Sequence, residues 1–96
     1  MQPIWKMNSG EFFGWRQDDQ LYDVEGHHVG YFKGDTAFSL KGEYVGEMVD
    51  DQRMGRPVGR MRPSAGARGS RGQIRTVPRA DITPRPSKAW EDPELD

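Results

Sequence analysis

Residues 25–51, EGHHVGYFKGDTAFSLKGEYVGEMVDD, contain two copies of a glycine-spaced motif that decides the fold of this 96-residue chain. The motif is Gly-x-x-x-Gly followed by an aromatic or acidic residue, and it occurs at 10–15, 26–31 and 42–47. Successive copies begin 16 residues apart, and Asp19, Asp35 and Asp51 keep the same step. A fixed period indicates that one supersecondary unit is reused along the chain.

Turn-forming residues recur about every eight residues through the first part of the chain. Between them lie short runs rich in Phe, Tyr, Val, Trp and Thr, and no window shows helical periodicity. This pattern predicts an all-β fold, a small antiparallel meander of short strands joined by tight turns. The predicted strands lie near 3–7, 11–17, 20–24, 27–33, 36–40, 43–49 and 52–56.

The composition changes near residue 56. Residues 1–52 carry four basic and ten acidic side chains, whereas 53–88 carry ten basic and one acidic, and 89–96 carry four acidic. The Pro/Gly/Arg-rich residues 57–96 have too little apolar surface to offset the entropy of ordering. We therefore predict a meander domain over 1–56 and a mostly disordered basic tail with an acidic tip over 57–96. The alternative is partial docking through 77–78, 82–84 and Trp90.

The chain has no cysteine and no apolar run long enough to span a membrane. Both features favour a cytoplasmic protein that makes no membrane contact. With no disulfide to stabilise a body of about 56 residues, self-association is the remaining way to extend a small core.

The predicted strands carry apolar side chains on both faces, and a lone meander of this size is not expected to bury both. We therefore expect a homo-oligomer whose second apolar face meets other copies of the chain. The expected role is a non-enzymatic scaffold for interaction or assembly. The expected interface residues are Phe12, Phe13, Phe32, Tyr44 and Met48.

Several short motifs fall in order along the first half of the chain: Ile4-Trp5, Gly14-Trp15, Leu21-Tyr22-Asp23, Glu25-Gly26, Val29-Gly30-Tyr31 and 42–47. In this order they resemble the bacterial 4-fold beta flower domain, over about residues 3–56, with 57–96 outside the resemblance. The resemblance implies a β-meander that assembles around a four-fold axis, hence a tetramer, and it carries over no catalytic residue. A weaker similarity to a MORN repeat covers 44–55, but the 16-residue step is shorter than the MORN period.

Trp5, Trp15 and Tyr31 are the candidate ligand-binding residues. Aromatic rings from several copies that converge on a symmetry axis can line an apolar pocket for a small molecule. The alternative is that these rings form interface core, since interfaces are rich in aromatic residues.

The basic tail supplies the candidate contacts to nucleic acid or to an acidic protein: Arg60, Arg62, Arg68, Arg71, Arg75 and Arg79. Arg/Gly segments bind polyanions through charge, with a steep dependence on salt. The tail has no interleaved aromatic residue that could stack on bases. A solvated linker with incidental charge is the alternative.

No catalytic, metal or cofactor site is predicted. His27 and His28 are adjacent, so on a strand they point to opposite faces and cannot bind one metal ion. Four copies gathered at an axis could bring imidazoles together, and a half-exposed turn histidine is the alternative. The aspartates recur at turn positions, where their side chains bond the backbone. No nucleophile elbow or phosphate-binding loop is present, which favours a non-enzymatic protein.

Overall fold

The computed structural model describes residues 1–95, which form strands, turns and extended segments without a helix, and therefore without a membrane-spanning helix. The strands are β1 (Gln2–Lys6), β2 (Phe12–Gln17), β3 (Gln20–Tyr22), β4 (His28–Lys33), β5 (Thr36–Ser39), β6 (Tyr44–Met48), β7 (Arg53–Pro57) and β8 (Trp90–Glu91). The all-β prediction is confirmed, and the seven predicted strands are present with their ends displaced by two residues at most.

The first seven strands form a closed barrel. Consecutive strands pair antiparallel from β1 to β7, and β1 also pairs with β7 in parallel, Trp5 with Arg53 and Lys6 with Met54. An odd number of strands can close only if one pair is parallel. Closure removes the free sheet edges that would otherwise recruit another chain.

The barrel interior is filled by apolar side chains from all seven strands: Ile4, Phe13, Leu21, Phe32, Ala37, Val45 and Met54. Each of these side chains is at most 7% exposed. Closure therefore buries one whole apolar face of the sheet within a single chain.

A β-bulge recurs in every repeat, at Phe13, Val29 and Val45. In each copy the bulge comes directly before the glycine in the middle of the strand, and a Cβ on that glycine would lie 2.2–3.0 Å from a carbonyl oxygen of the next strand. A Cβ at Gly14 would lie 2.2 Å from the carbonyl oxygen of Tyr22, on the neighbouring strand. The repeated glycine thus lets the backbone bend closely over the next strand.

After β7 the chain runs around one end of the barrel, which we call the rim and which consists of the turns at 7–11, 23–27 and 40–43. Backbone N–H groups of this tail donate to the first glycine of each repeat, at 2.8–2.9 Å: Ala65 to Gly42, Ile74 to Gly26 and Ile82 to Gly10. The tail therefore meets the repeats in reverse order as it circles the barrel. Residue Pro93 is fully buried, and Leu95 packs against the interior cluster.

Strand β8 brings the tail back to the last strand of the barrel. It pairs with β7 at Arg56 and Pro57, just beyond the residues of β7 that pair with β1. The Val58 N–H donates to the Ala89 carbonyl at 3.0 Å on the same edge of β7. The barrel thus has three continuous hairpins, β2–β3, β4–β5 and β6–β7, and the fourth position is filled by β8 beside β1.

The premise that a lone chain cannot bury both apolar faces is wrong, because one face lines the barrel and the tail covers the other. Of the five predicted interface residues, Phe13 and Phe32 lie inside the barrel. Phe12 and Tyr44 are buried on the outer face, and Met48 is half-buried against the interior cluster.

The structure also differs from the expected disordered tail, since residues 57–95 lie along the barrel. A tail poor in apolar groups can dock because the barrel already presents aromatic rings and free backbone acceptors. Of the expected docking points, Ile82 packs on the aromatic cluster and Trp90 forms part of β8. Val77 instead is 78% exposed.

Candidate functional site: an arginine belt on the barrel rim

The first of two aromatic clusters on the outer face lies beneath the second half of the tail. It consists of Trp5, Phe12, Trp15 and Tyr22, with Val24, Ile74 and Ile82 packed against it. The indole N–H of Trp5 donates to the carbonyl of Ala80 at 2.9 Å. The indole N–H of Trp15 is buried and has no acceptor among the described residues.

The second cluster, Tyr31, Phe38 and Tyr44, lies beneath the start of the tail, and Ala65 packs against it. The Tyr31 hydroxyl donates to the carbonyl of Gly66, and the Arg68 guanidinium lies 3.8 Å from the centre of the Tyr31 ring. Burial, and then the charge of Glu47, raises the pKa of the Tyr44 hydroxyl to about 12.

The structure does not bring the three predicted ligand-binding rings together. Trp5 and Trp15 share the first cluster, whereas Tyr31 belongs to the second. Their side chains are 8%, 5% and 0% exposed, because the tail covers them. A ligand at these residues would have to displace part of the tail, and such a site stays a prediction.

The six arginines predicted to contact nucleic acid fall into two groups. Arg60 pairs with Glu47 at 3.7 Å, and Arg62 pairs with Glu91 at 3.5 Å. The other four have no carboxylate within ion-pair distance in the part of the chain that the structure describes. We call these four residues the arginine belt: Arg68, Arg71, Arg75 and Arg79.

Backbone contacts with the barrel fix the course of the belt. The backbone N–H of Arg68 donates to the Leu40 carbonyl at 2.7 Å, and that of Arg71 donates to the His28 imidazole at 2.8 Å. Arg75 follows Ile74, which is bonded to Gly26, and Arg79 precedes the Ala80 carbonyl bonded to Trp5. All four belt arginines are exposed, so the tail presents its positive charge outward.

Two surface features lie next to the belt. The Arg79 guanidinium lies 5.6 Å from the Trp15 ring centre, so that belt arginines contact an aromatic ring in both clusters. An open groove of about 610 Å³ runs beside Arg75 and includes Glu25, which places one carboxylate next to the belt.

A family model described as "4-fold beta flower protein" matches residues 4–95. The chain belongs to this family. The match includes the tail, so the expectation that the resemblance ends near residue 56 is wrong. No curated protein and no solved structure matches the chain.

In this beta flower protein, a four-part arrangement is present within one chain. Three hairpins follow the 16-residue repeat, and β8 beside β1 occupies the fourth position.

The two histidines of the beta flower are adjacent but have different environments. His27 is exposed, 3.4 Å from an Asp23 carboxylate oxygen, while His28 is buried between β3 and the tail. Its Nε2 donates to the Gln20 side-chain oxygen at 2.8 Å, since Nδ1 accepts from Arg71. Burial, and more weakly the charge of Arg71, lowers the pKa of His28. No group of three metal-ligating side chains occurs among residues 1–95.

Of the aspartates at turn positions in the beta flower, some hold the backbone, as expected for such positions, and others form ion pairs. One carboxylate oxygen of Asp23 accepts from the N–H groups of Glu25 and His27, both at 2.9 Å. Asp50 accepts from the two residues that enter β7, both at 2.8 Å. Asp19 and Asp35 pair with Arg16 at 3.4 Å and 3.3 Å.

Three residues that hold the tail were not among the predicted sites. Asn8 bonds Trp90, Asp92 and the backbone of 85 and 87, and Asp81 accepts from the N–H of Phe12 at 2.8 Å. The Arg53 guanidinium, only 5% exposed, donates to the carbonyls of Met7 and Thr83. One sequence signal existed: Ala65, Ile74 and Ile82 are spaced by eight or nine residues, half of the repeat.

Proposed function

We propose that the protein is a non-enzymatic interaction module whose arginine belt binds nucleic acid through the phosphate backbone. The observation that carries the proposal is the fixed placement of four exposed guanidinium groups without carboxylate partners among residues 1–95. Guanidinium groups bind phosphate oxygens through paired, charge-assisted hydrogen bonds. Because the tail is already docked, binding requires less ordering than a free tail would.

The surroundings of the belt favour a nucleic acid over an acidic protein. Protein partners gain most of their affinity from buried aromatic and apolar anchors. The tail covers the aromatic rings of the barrel that lie beneath residues 65–82. Within that segment, Val77 is the only large apolar side chain that is strongly exposed. A strip of charge gains affinity mainly by releasing counterions, which requires a partner of high linear charge density.

The absence of enzymatic activity is part of the proposal, and the engagement of the polar side chains supports it. The best candidates for acid–base chemistry already hold turns or the tail: Asp23 and Asp50 accept from backbone N–H groups, and His28 bonds Arg71 and Gln20. A general acid or base needs a free position beside a substrate.

The homo-oligomeric scaffold remains a prediction, now without uncovered aromatic faces to support it. Light scattering on purified protein tests it separately. A monomer at micromolar concentration contradicts the tetramer and leaves the nucleic-acid proposal standing.

Fluorescence anisotropy with a labelled oligonucleotide of mixed sequence tests the proposed function. We expect binding at low salt, with affinity falling steeply as salt rises. The variant Arg71→Gln/Arg75→Gln should weaken binding and reduce the slope of log affinity against log salt by roughly 0.7 for each phosphate that is no longer neutralised.

The matched control is Arg60→Gln/Arg62→Gln, which removes the same charge from the tail but only from ion-paired arginines. It should bind nearly as the unmodified protein does. No binding at low salt, or equal losses of affinity in the two variants, contradicts the proposal.

A further inference from the structure

We propose that the nucleic acid is a flexible single strand that follows the curved rim and contacts all four belt arginines. This inference rests on the proposed function and names the form of nucleic acid that the belt fits. It is based on the curvature of the rim, the open outer side of the tail and the burial of every aromatic ring beneath it.

The path of the tail sets the curvature of the belt. Ala65, Ile74 and Ile82 dock on three successive glycine turns, and three hairpins together with the position of β1 and β8 make up the barrel circumference. Each step from one turn to the next is therefore about a quarter of the circumference. The belt lies between the first and third docking points, so its arginines are spread over much of half a circle.

The size of the protein makes this curvature tight. The protein measures 35 × 31 × 21 Å along its principal axes. The rim therefore curves around a body whose size is comparable to the width of a nucleic-acid duplex. Arg79 follows Arg68 by eleven positions, a path of at most roughly 40 Å for a fully extended chain. The two ends of this path therefore lie on different parts of the curved rim.

A duplex cannot follow such a path, because its persistence length is about 50 nm. A straight rod that touches a convex rim reaches neighbouring arginines, such as Arg71 and Arg75, but not the two ends of the belt. A single strand bends at each nucleotide and can reach all four. The added phosphate contacts favour the single strand despite its lower charge density.

The outer side of the tail is open to a strand along the first half of the belt. A Cβ added to Gly66, Gly69 or Gly72 would meet no atom within 4 Å. The small residues between the arginines thus leave space for a sugar-phosphate backbone to approach. Thr76 and Val77 flank the second half, where the groove beside Arg75 widens the surface.

Base stacking is not available to this strand. The rings that could stack on bases, Trp15 and Tyr31, are covered by the tail, and guanidinium groups of the belt lie over them. Recognition through phosphates alone carries no base information. We therefore expect homopolymer strands of different bases to bind with similar affinity.

The carboxylate beside the belt provides a gain-of-affinity variant. Glu25 shares the groove with Arg75 and repels phosphate. Its side chain is exposed, and only its backbone is used to bond the tail. Glu25→Gln should therefore raise the affinity for a single strand without disturbing the docking of the tail.

Competition between a single strand and a blunt duplex of the same sequence and length tests the inference on the full chain. We expect the single strand to bind at least about tenfold more tightly at moderate salt. Arg68→Gln/Arg71→Gln and Arg75→Gln/Arg79→Gln should each weaken single-strand binding, whereas Arg60→Gln/Arg62→Gln should not. Unchanged thermal unfolding midpoints verify that each variant folds.

The outcomes separate the two proposals. A duplex that binds as tightly as the single strand, or more tightly, overturns the inference and leaves the proposed function intact. Loss of single-strand binding from only one arginine pair also overturns it, because wrapping uses both ends of the belt. Failure of both nucleic acids to bind at low salt overturns both proposals.

Discussion

The imidazole Nδ1 of His28 accepts a hydrogen bond from the backbone N–H of Arg71 at 2.8 Å. This contact joins the start of β4 to the middle of the arginine belt. In return, the backbone N–H of His28 donates to the Gly72 carbonyl at 2.8 Å. A neutral ring can accept this bond, whereas a protonated ring presents a second donor to the Arg71 N–H. This contact between the tail and the barrel therefore depends on the charge of one buried histidine.

Acidification should destabilise the protein through His28. The pKa of His28 is lowered from its usual value of 6.5 in the folded state, mainly by burial. On acidification, His28 therefore takes up a proton in the unfolded chain at a higher pH than in the folded chain. Its stabilising contribution is complete above pH 6.5 and decreases as the pH falls below that value. Urea unfolding across this range measures the decrease.

Two variants assign this effect. His28→Gln should be less stable at neutral pH and should lose the part of the pH dependence that comes from His28. His27→Gln, at the exposed neighbouring position, should keep it. A decrease of the same size in His28→Gln contradicts the assignment.

Substitution of a rim glycine should separate the tail contact from ordinary backbone strain. Gly26 has φ +87°, and a Cβ there would lie 2.2 Å from the carbonyl oxygen of Ile74. Gly34 has φ +60°, but a Cβ there would meet nothing within 4 Å. Both alanine variants introduce left-handed strain, while only Gly26→Ala also disturbs the tail, at an added cost of about 1 kcal/mol or more. Equal unfolding free energies for the two variants contradict a docked tail.

The two buried indoles should respond differently to phenylalanine. The Trp5 N–H donates to the Ala80 carbonyl, so Trp5→Phe removes a hydrogen bond that holds the tail on this cluster. The Trp15 N–H is buried without an acceptor among the described residues, so Trp15→Phe removes an unsatisfied donor. Trp5→Phe should therefore cost about 1 kcal/mol more than Trp15→Phe in chemical denaturation. The reverse order would show that the tail does not seal this cluster.

The meander could be predicted from sequence because its signals are local. Turn residues and aromatic runs placed each strand. Closure could not be predicted in the same way, since it depends on the pairing of Trp5 with Arg53, far apart in sequence.

The extent of the tail's docking, of which partial docking was only the alternative prediction, could not be predicted for a different physical reason. Composition indicates how much apolar surface a segment can bury by itself, and residues 57–96 can bury little apolar surface. The tail docks because Trp5, Trp15 and Tyr31 on the barrel supply the apolar surface and the rim glycines supply backbone acceptors. The candidate site followed the same pattern: sequence identified the arginines but not which of them would be free of ion pairs.

Amide hydrogen exchange of the full chain tests most directly the central claim that the tail is a docked part of the barrel domain. A docked tail predicts slow exchange at the amides of Ala65, Ile74 and Ile82, which donate to the three rim glycines. The amides of Met61 and Gly69, which have no acceptor among residues 1–95, should exchange rapidly. Equally rapid exchange at all five amides would contradict the docking of the tail.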